Sequence, residues 1–103
     1  MNKVLWIALV EVEAIEGNEA FAPGEKSFVN AVSLARSRET ARTRIRKGLL
    51  GLRFHVIAFE SVESWETRNM CSAEEHGLAA LAEVANETGQ VQFGTFHTWD
   101  AQG

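Results

Sequence analysis

The segment from Val4 to Val12 is apolar on both faces of the strand that it predicts. Its side chains alternate between two sets, Trp6, Ala8, Val10 and Val12 on one face and Leu5, Ile7 and Leu9 on the other. A strand without a polar face is buried on both sides. The chain must therefore cover both faces of the sheet that contains this strand.

The spacing of apolar and capping residues predicts three further elements in the first two thirds of the chain. Ser27 to Arg36 predicts a second strand, the hairpin partner of the first. Ser37 predicts an N-cap, followed by a helix from Arg38 to about Leu50. Arg53 to about Trp65 predicts a third strand, in which the alternation of side chains slips near Glu60 and indicates a bulge or bend.

Two glycines shape the prediction for the first helix. Gly48 lies on the same side of the helix as its apolar residues, where a missing side chain would allow close approach to the sheet. Gly51 predicts the C-terminal end of the helix.

The C-terminal part of the chain predicts one more helix and one more strand. Ser72 and Glu75 form a capping box for a helix from Ala73 to Thr88, and Val91 to Trp99 predicts the last strand. The order ββαβαβ indicates a single α+β domain over residues 1–103. We expect a two-layer sandwich, in which a mixed four-stranded sheet carries both helices on one face.

The second face of such a sheet needs another cover. The connection between the first two strands offers few apolar side chains, chiefly Ile15, Phe21 and Ala22. We therefore expect a homo-oligomer with two-fold symmetry, or a small apolar ligand, at this face. The residues expected to form the interface or ligand site are mostly aromatic: Trp6, Phe54, Phe59, Trp65, Phe93, Phe96, His97 and Trp99.

The basic residues are concentrated between positions 36 and 53. Seven of the ten Lys and Arg residues lie there, in a chain of net charge -4. A helix spreads them over the whole side away from its apolar stripe, which favours a solvated face and makes nucleic-acid binding unlikely. The alternative is a regulatory or toxin-neutralising protein with an acidic partner, with anion contacts at Arg42, Arg44, Arg46 and Lys47.

The residues with catalytic potential are scattered along the chain. Cys71 precedes the second predicted helix, whose N-terminus would activate a thiol, and His97 or Glu60 would supply an acid or base. These three residues define the alternative of a small enzyme of the dimeric ferredoxin-like kind. A lone Cys and a distant His occur by chance in most chains, so a non-enzymatic binding protein is the first hypothesis.

No metal, cofactor or membrane span is expected. His55, His76 and His97 lack the spacing of metal ligands, and glycine-rich phosphate loops are absent from the sequence. The longest apolar run is far shorter than the roughly 20 residues that a membrane helix needs. A single cysteine excludes an intramolecular disulfide, so we expect a cytoplasmic protein.

The passage from Val29 to Ala41, a strand that leads through the cap at Ser37 into a helix, resembles small uncharacterised bacterial α+β proteins. Proteins of this type are carried on mobile gene cassettes, such as integron cassettes. The resemblance covers a third of the chain and implies a compact bacterial accessory protein. It assigns no site residues.

Overall fold

A computed structural model of the chain describes residues 3–65, 78–94 and 96–98. The fold is α+β, and the described residues form two helices and one antiparallel sheet in which the strand order is β3-β1-β2-β4, while the short β5 also pairs with β2. The elements in chain order are β1 (Val4–Ala14), β2 (Lys26–Ala35), α1 (Arg38–Gly51), β3 (Phe54–Ser64), α2 (Leu78–Thr88), β4 (Gln92–Phe93) and β5 (His97–Thr98).

The hairpin and the first helix confirm the sequence pattern. β1 and β2 pair antiparallel along almost their whole length. The Ser37 hydroxyl accepts a hydrogen bond from the backbone N–H of Thr40 at 3.1 Å, as expected for an N-cap. β1 continues past the predicted Val12 to Ala14, which is bonded to both Gly24 and Glu25 across the hairpin.

The prediction of a mixed sheet is wrong, because all the strand pairs among the described residues are antiparallel. β3 runs in the same direction as β2, as the crossover through α1 suggested, but β1 lies between them. A helical connection sets the direction in which the next strand runs, but it does not determine which strands that strand pairs with. The two-sided apolar β1 is the strand that most needs an interior position, and it has one.

The helices pack on opposite faces of the sheet, so the predicted sandwich with both helices on one face is also wrong. On what we call the α1 face, Val10 and Val12 pack with Ile45 and Leu49 of α1. On the opposite α2 face, Ile7 packs in one cluster with residues from β2 and α2, namely Val32, Ala82 and Ala85. α2 therefore covers part of the face that we expected a second copy or a ligand to cover.

β3 contains the predicted bulge near Glu60 and a second irregularity at Ile57. The register of β3 against β1 shifts between Leu9 and Val10 and again between Glu11 and Val12, which leaves Glu60 and Ile57 as the extra residues. Each extra residue resets the alternation. As a result, four β3 side chains pack against the core of the α1 face: Phe54, Val56, Phe59 and Val62.

The predicted last strand is broken into β4 and β5. Phe93 lies opposite Ala31 and His97 lies opposite Phe28, so the register against β2 changes by one residue between the two short strands. Simple alternation predicted opposite faces for Phe93 and Phe96. Because of the register change, both pack against the core of the α1 face.

The second helix ends where the sequence predicted. α2 stops at Thr88, and Gly89 follows with a φ of 75°. The capping box of Ser72 and Glu75 and the predicted start at Ala73 lie outside the described residues. In the part of the chain that the structure describes, neither helix has the length and hydropathy of a membrane span.

Candidate ligand-binding cleft

A cleft of about 570 Å3 lies at the end of the sheet where α1 gives way to β3. Its walls are the connection between β1 and β2 and the turn between α1 and β3, and Phe96 closes it from the other edge of the sheet. The lining residues are Gly17, Asn18, Glu19, Ala20, Phe21, Gly51, Leu52, Arg53, Phe54 and Phe96. The volume lies in the range of small-molecule sites.

Three phenylalanines form the apolar floor of this cleft. The rings of Phe54 and Phe96 stack with their centroids 4.6 Å apart, and Phe21 meets Phe54 edge-on at 5.8 Å. Phe54 is buried, whereas Phe21 and Phe96 are half-buried and pack against the core of the α1 face. The floor is therefore fixed by the core and still presents ring surface to the cleft.

Asn18 joins the two walls of the cleft. Its side-chain Nδ2 donates to the backbone carbonyls of Leu52 and Arg53 at 3.0 and 3.2 Å. Its Oδ1 accepts from the backbone N–H groups of Ala20 and Phe21 at 2.9 and 2.8 Å. One short side chain thus holds the connection against the end of α1, and the Gly17-Asn18 pair is the turn signal in the sequence that marks this position.

Arg53 occupies an unusual position on the rim. Its φ of 66° makes it the one non-glycine residue with a left-handed backbone among the described residues. Helices commonly place a glycine with a left-handed backbone just past their last turn. The helix does end at Gly51, but Arg53 makes the turn, and its backbone N–H donates to the Leu50 carbonyl at 2.9 Å.

Gly17 leaves room for the Arg53 side chain. A Cβ at Gly17 would lie 3.4 Å from both Cγ and Nε of Arg53, and the φ of 97° at Gly17 disfavours any side chain. The Arg53 side chain therefore lies along a bare stretch of backbone. Glu19 lines the same cleft two residues further along the connection.

The aromatic residues expected to form one site are divided among several places. Phe54 and Phe96 lie in the cleft, whereas Trp65 packs against the core of the α2 face. Trp6 lies under Arg38, and its Nε1 donates to the Ala35 carbonyl at 3.1 Å.

The remaining members of that set are equally dispersed. The Phe93 ring faces Gly48, which confirms the predicted close approach to the sheet, and Phe59 lies under the guanidinium groups of α1. His97 is exposed on β5. Trp99 lies outside the described residues. The described members of that set therefore do not share one surface, and the sequence pattern did not indicate Phe21, Asn18 or Arg53 as parts of a site.

The basic residues of α1 are engaged in different ways. Arg44 is half-buried, and it donates to the backbone carbonyl of Leu34 at 2.7 Å and to that of Gly89. Arg42 forms an ion pair with Glu39 at 2.9 Å. The guanidinium groups of Arg42 and Arg46 both lie over the Phe59 ring. Of the four proposed anion contacts, Arg46 and Lys47 are exposed, and the expectation of a fully solvated face is wrong for Arg44.

The proposed catalytic residues do not come together in the described part of the chain. Glu60 lies on β3 and His97 on β5, at opposite edges of the sheet with β1 and β2 between them. Three strand spacings separate these strands by about 14 Å. The same separation applies to His55 and His97, and the described residues contain no group of three His, Cys, Asp or Glu that could hold a metal. Cys71 and His76 lie outside the described residues.

Comparison with known proteins gave no match to a protein-family model, to a curated protein or to a solved structure.

Proposed function

We propose that the chain is a small binding protein whose cleft beside the turn between α1 and β3 takes a small molecule with an apolar ring. The observation that carries the proposal is the floor of Phe21, Phe54 and Phe96, which leaves ring surface facing a cleft of about 570 Å3. Burial of apolar surface is worth about 25 cal/mol per Å2, and aromatic rings add edge-to-face or stacked contacts.

The walls of the cleft support the proposal because they are held in place before any ligand arrives. Asn18 and Ile15 bond the connection to the carbonyls at the end of α1. A site fixed in this way loses little conformational freedom on binding, so more of the contact energy contributes to affinity.

A blocking variant tests this proposal. Ala20 is exposed and lines the cleft, so we expect Ala20→Trp to fill it without disturbing the core. Ala22 is exposed in the same connection and does not line the cleft, so Ala22→Trp is the matched control. The probe is phenylethanol, a neutral molecule with one ring, and the measurement is saturation-transfer NMR.

We expect a saturation-transfer signal from phenylethanol with the parent protein and with Ala22→Trp, and no signal with Ala20→Trp. Equal signals from all three proteins would place binding elsewhere. Absence of a signal with the parent protein at millimolar probe would overturn the proposal.

A further inference from the structure

We infer that the cleft selects a zwitterion, namely a free α-amino acid with an apolar ring in its side chain. This inference rests on the proposed function above and names the class of ligand. It is carried by the charges that surround the aromatic floor: one cation, one anion and one helix end.

The two charged side chains of the cleft, Arg53 and Glu19, are both exposed on its rim. Neither forms an ion pair with the other or with any other residue that the structure describes. Both charges therefore stay available to a ligand in the cleft. A guanidinium binds a carboxylate through paired N–H donors, and a carboxylate binds an ammonium group.

The end of α1 adds partial negative charge to the lining of the cleft. Gly51 and Leu52 belong to the lining, and the last turn of α1 contains no basic residue. The C-terminal end of a helix favours a nearby cation. The faces of the phenylalanine rings also attract a cation, so the helix end, Glu19 and the rings together favour an ammonium group.

Arg53, in contrast, favours a carboxylate. Its backbone is left-handed, a conformation that suits glycine far better than arginine. A strained non-glycine residue of this kind is typical of functional sites. Glycine at Gly17 leaves room for the Arg53 side chain to lie along the connection. An anionic ligand without an amine would be repelled by the helix end and by Glu19. A cationic ligand without a carboxylate would be repelled by Arg53. A zwitterion satisfies both the cationic and the anionic groups of the cleft.

Three probes with the same ring separate these cases by isothermal titration calorimetry. Phenylalanine carries both charged groups, phenylpropanoate lacks the amine, and phenethylamine lacks the carboxylate. We expect phenylalanine to bind about tenfold more tightly than either analogue, because each charged group adds a charge-assisted contact.

Two charge-removing variants assign each contact to its residue. Arg53→Gln should weaken phenylalanine and phenylpropanoate by about tenfold and leave phenethylamine unchanged. Glu19→Gln should weaken phenylalanine and phenethylamine and leave phenylpropanoate unchanged. Arg36→Gln, at the other end of β2, and Glu16→Gln, outside the lining, are the matched controls. Thermal melts of all four variants establish that each is folded.

The outcomes distinguish the inference from the proposed function. Equal affinity for all three probes, with binding still abolished by Ala20→Trp, would overturn the zwitterion and leave the cleft as a binding site. Tighter binding of phenylpropanoate or phenethylamine than of phenylalanine would also overturn it, in favour of a simple anion or cation site. Failure of every probe, including phenylethanol, would overturn the proposed function as well.

Discussion

Arg53 shows how one residue can serve a local site against its own backbone preference. A left-handed conformation disfavours any side chain with a Cβ by about 1 kcal/mol or more. The chain nevertheless has arginine at this turn, beside Gly17, whose missing side chain makes space for it. Local stability and the charge of the cleft are therefore in conflict at this residue.

Arg53→Gly should raise the free energy of unfolding by about 1 kcal/mol, because glycine adopts the left-handed turn without strain. Urea denaturation followed by circular dichroism measures the change. Arg53→Lys keeps a Cβ and a charge, so its stability should equal that of the parent. A loss of stability in the glycine variant would show that the arginine side chain contributes more than the turn costs.

Arg44 is a second residue whose role sequence patterns could not reveal. It lies on the polar side of the predicted helix, yet its guanidinium reaches carbonyls at the end of β2 and just past α2. We expect Arg44→Gln to destabilise the protein by about 1.5–3 kcal/mol, since two partly buried carbonyls lose a charged donor.

Lys47→Gln, on an exposed position of the same helix, should change stability by less than about 0.5 kcal/mol. Chemical denaturation of both variants gives the comparison. Similar denaturation midpoints for the two variants would mean that water replaces the Arg44 guanidinium at both carbonyls without a loss of stability.

At the scale of the elements, the two glycines of α1 have different roles, and only one of them allows close packing. A Cβ at Gly48 would lie 2.9 Å from Cζ of Phe93, while a Cβ at Gly51 would meet nothing within 4 Å. The first glycine permits contact with β4, and the second lies at the open end of the helix.

Alanine at these two positions should therefore have opposite effects. Gly51→Ala should gain roughly 0.5 kcal/mol from helix propensity. Gly48→Ala should lose stability, because overpacking of about 1–3 kcal/mol exceeds the gain of about 1 kcal/mol in propensity. Thermal unfolding measures both, and Gly48→Ala combined with Phe93→Leu should recover the loss. Equal gains at both positions would contradict this account of the packing.

The elements themselves could be predicted because local patterns determine them. The two-sided apolar β1, the cap at Ser37 and the slip near Glu60 all lie where the sequence indicated. Strand order could not be predicted in this way, because it depends on contacts between distant segments. The cleft was missed for a similar reason: Phe96 reaches it through a one-residue register change, which no short window of sequence displays.

At the scale of the whole molecule, the described helices α1 and α2 pack on opposite apolar faces of the sheet. The expectation of a homo-oligomer rested on one face without a helix, and α2 now covers Ile7 and Val32 on that face. The physical argument for self-association is weaker as a result. The oligomeric state stays a prediction.

We expect a dimer at micromolar concentration, because a second copy would bury the apolar surface that remains on the α2 face. Sedimentation equilibrium measures the mass directly, and Val84→Lys, at an exposed position of α2, should weaken a dimer formed through this side. A monomeric mass at all concentrations would contradict the prediction and leave the cleft proposal unaffected.

The two irregularities of β3 affect how readily the protein associates edge to edge with other chains in a concentrated solution. β3 is eleven residues long and forms one border of the sheet. A straight border of that length is a template on which further chains can add and grow into fibrils. The extra residues at Ile57 and Glu60 bend that border and interrupt its row of regularly spaced backbone groups. The same two residues that bring the β3 phenylalanines into phase with the core therefore also make this border a poorer template for the addition of further chains.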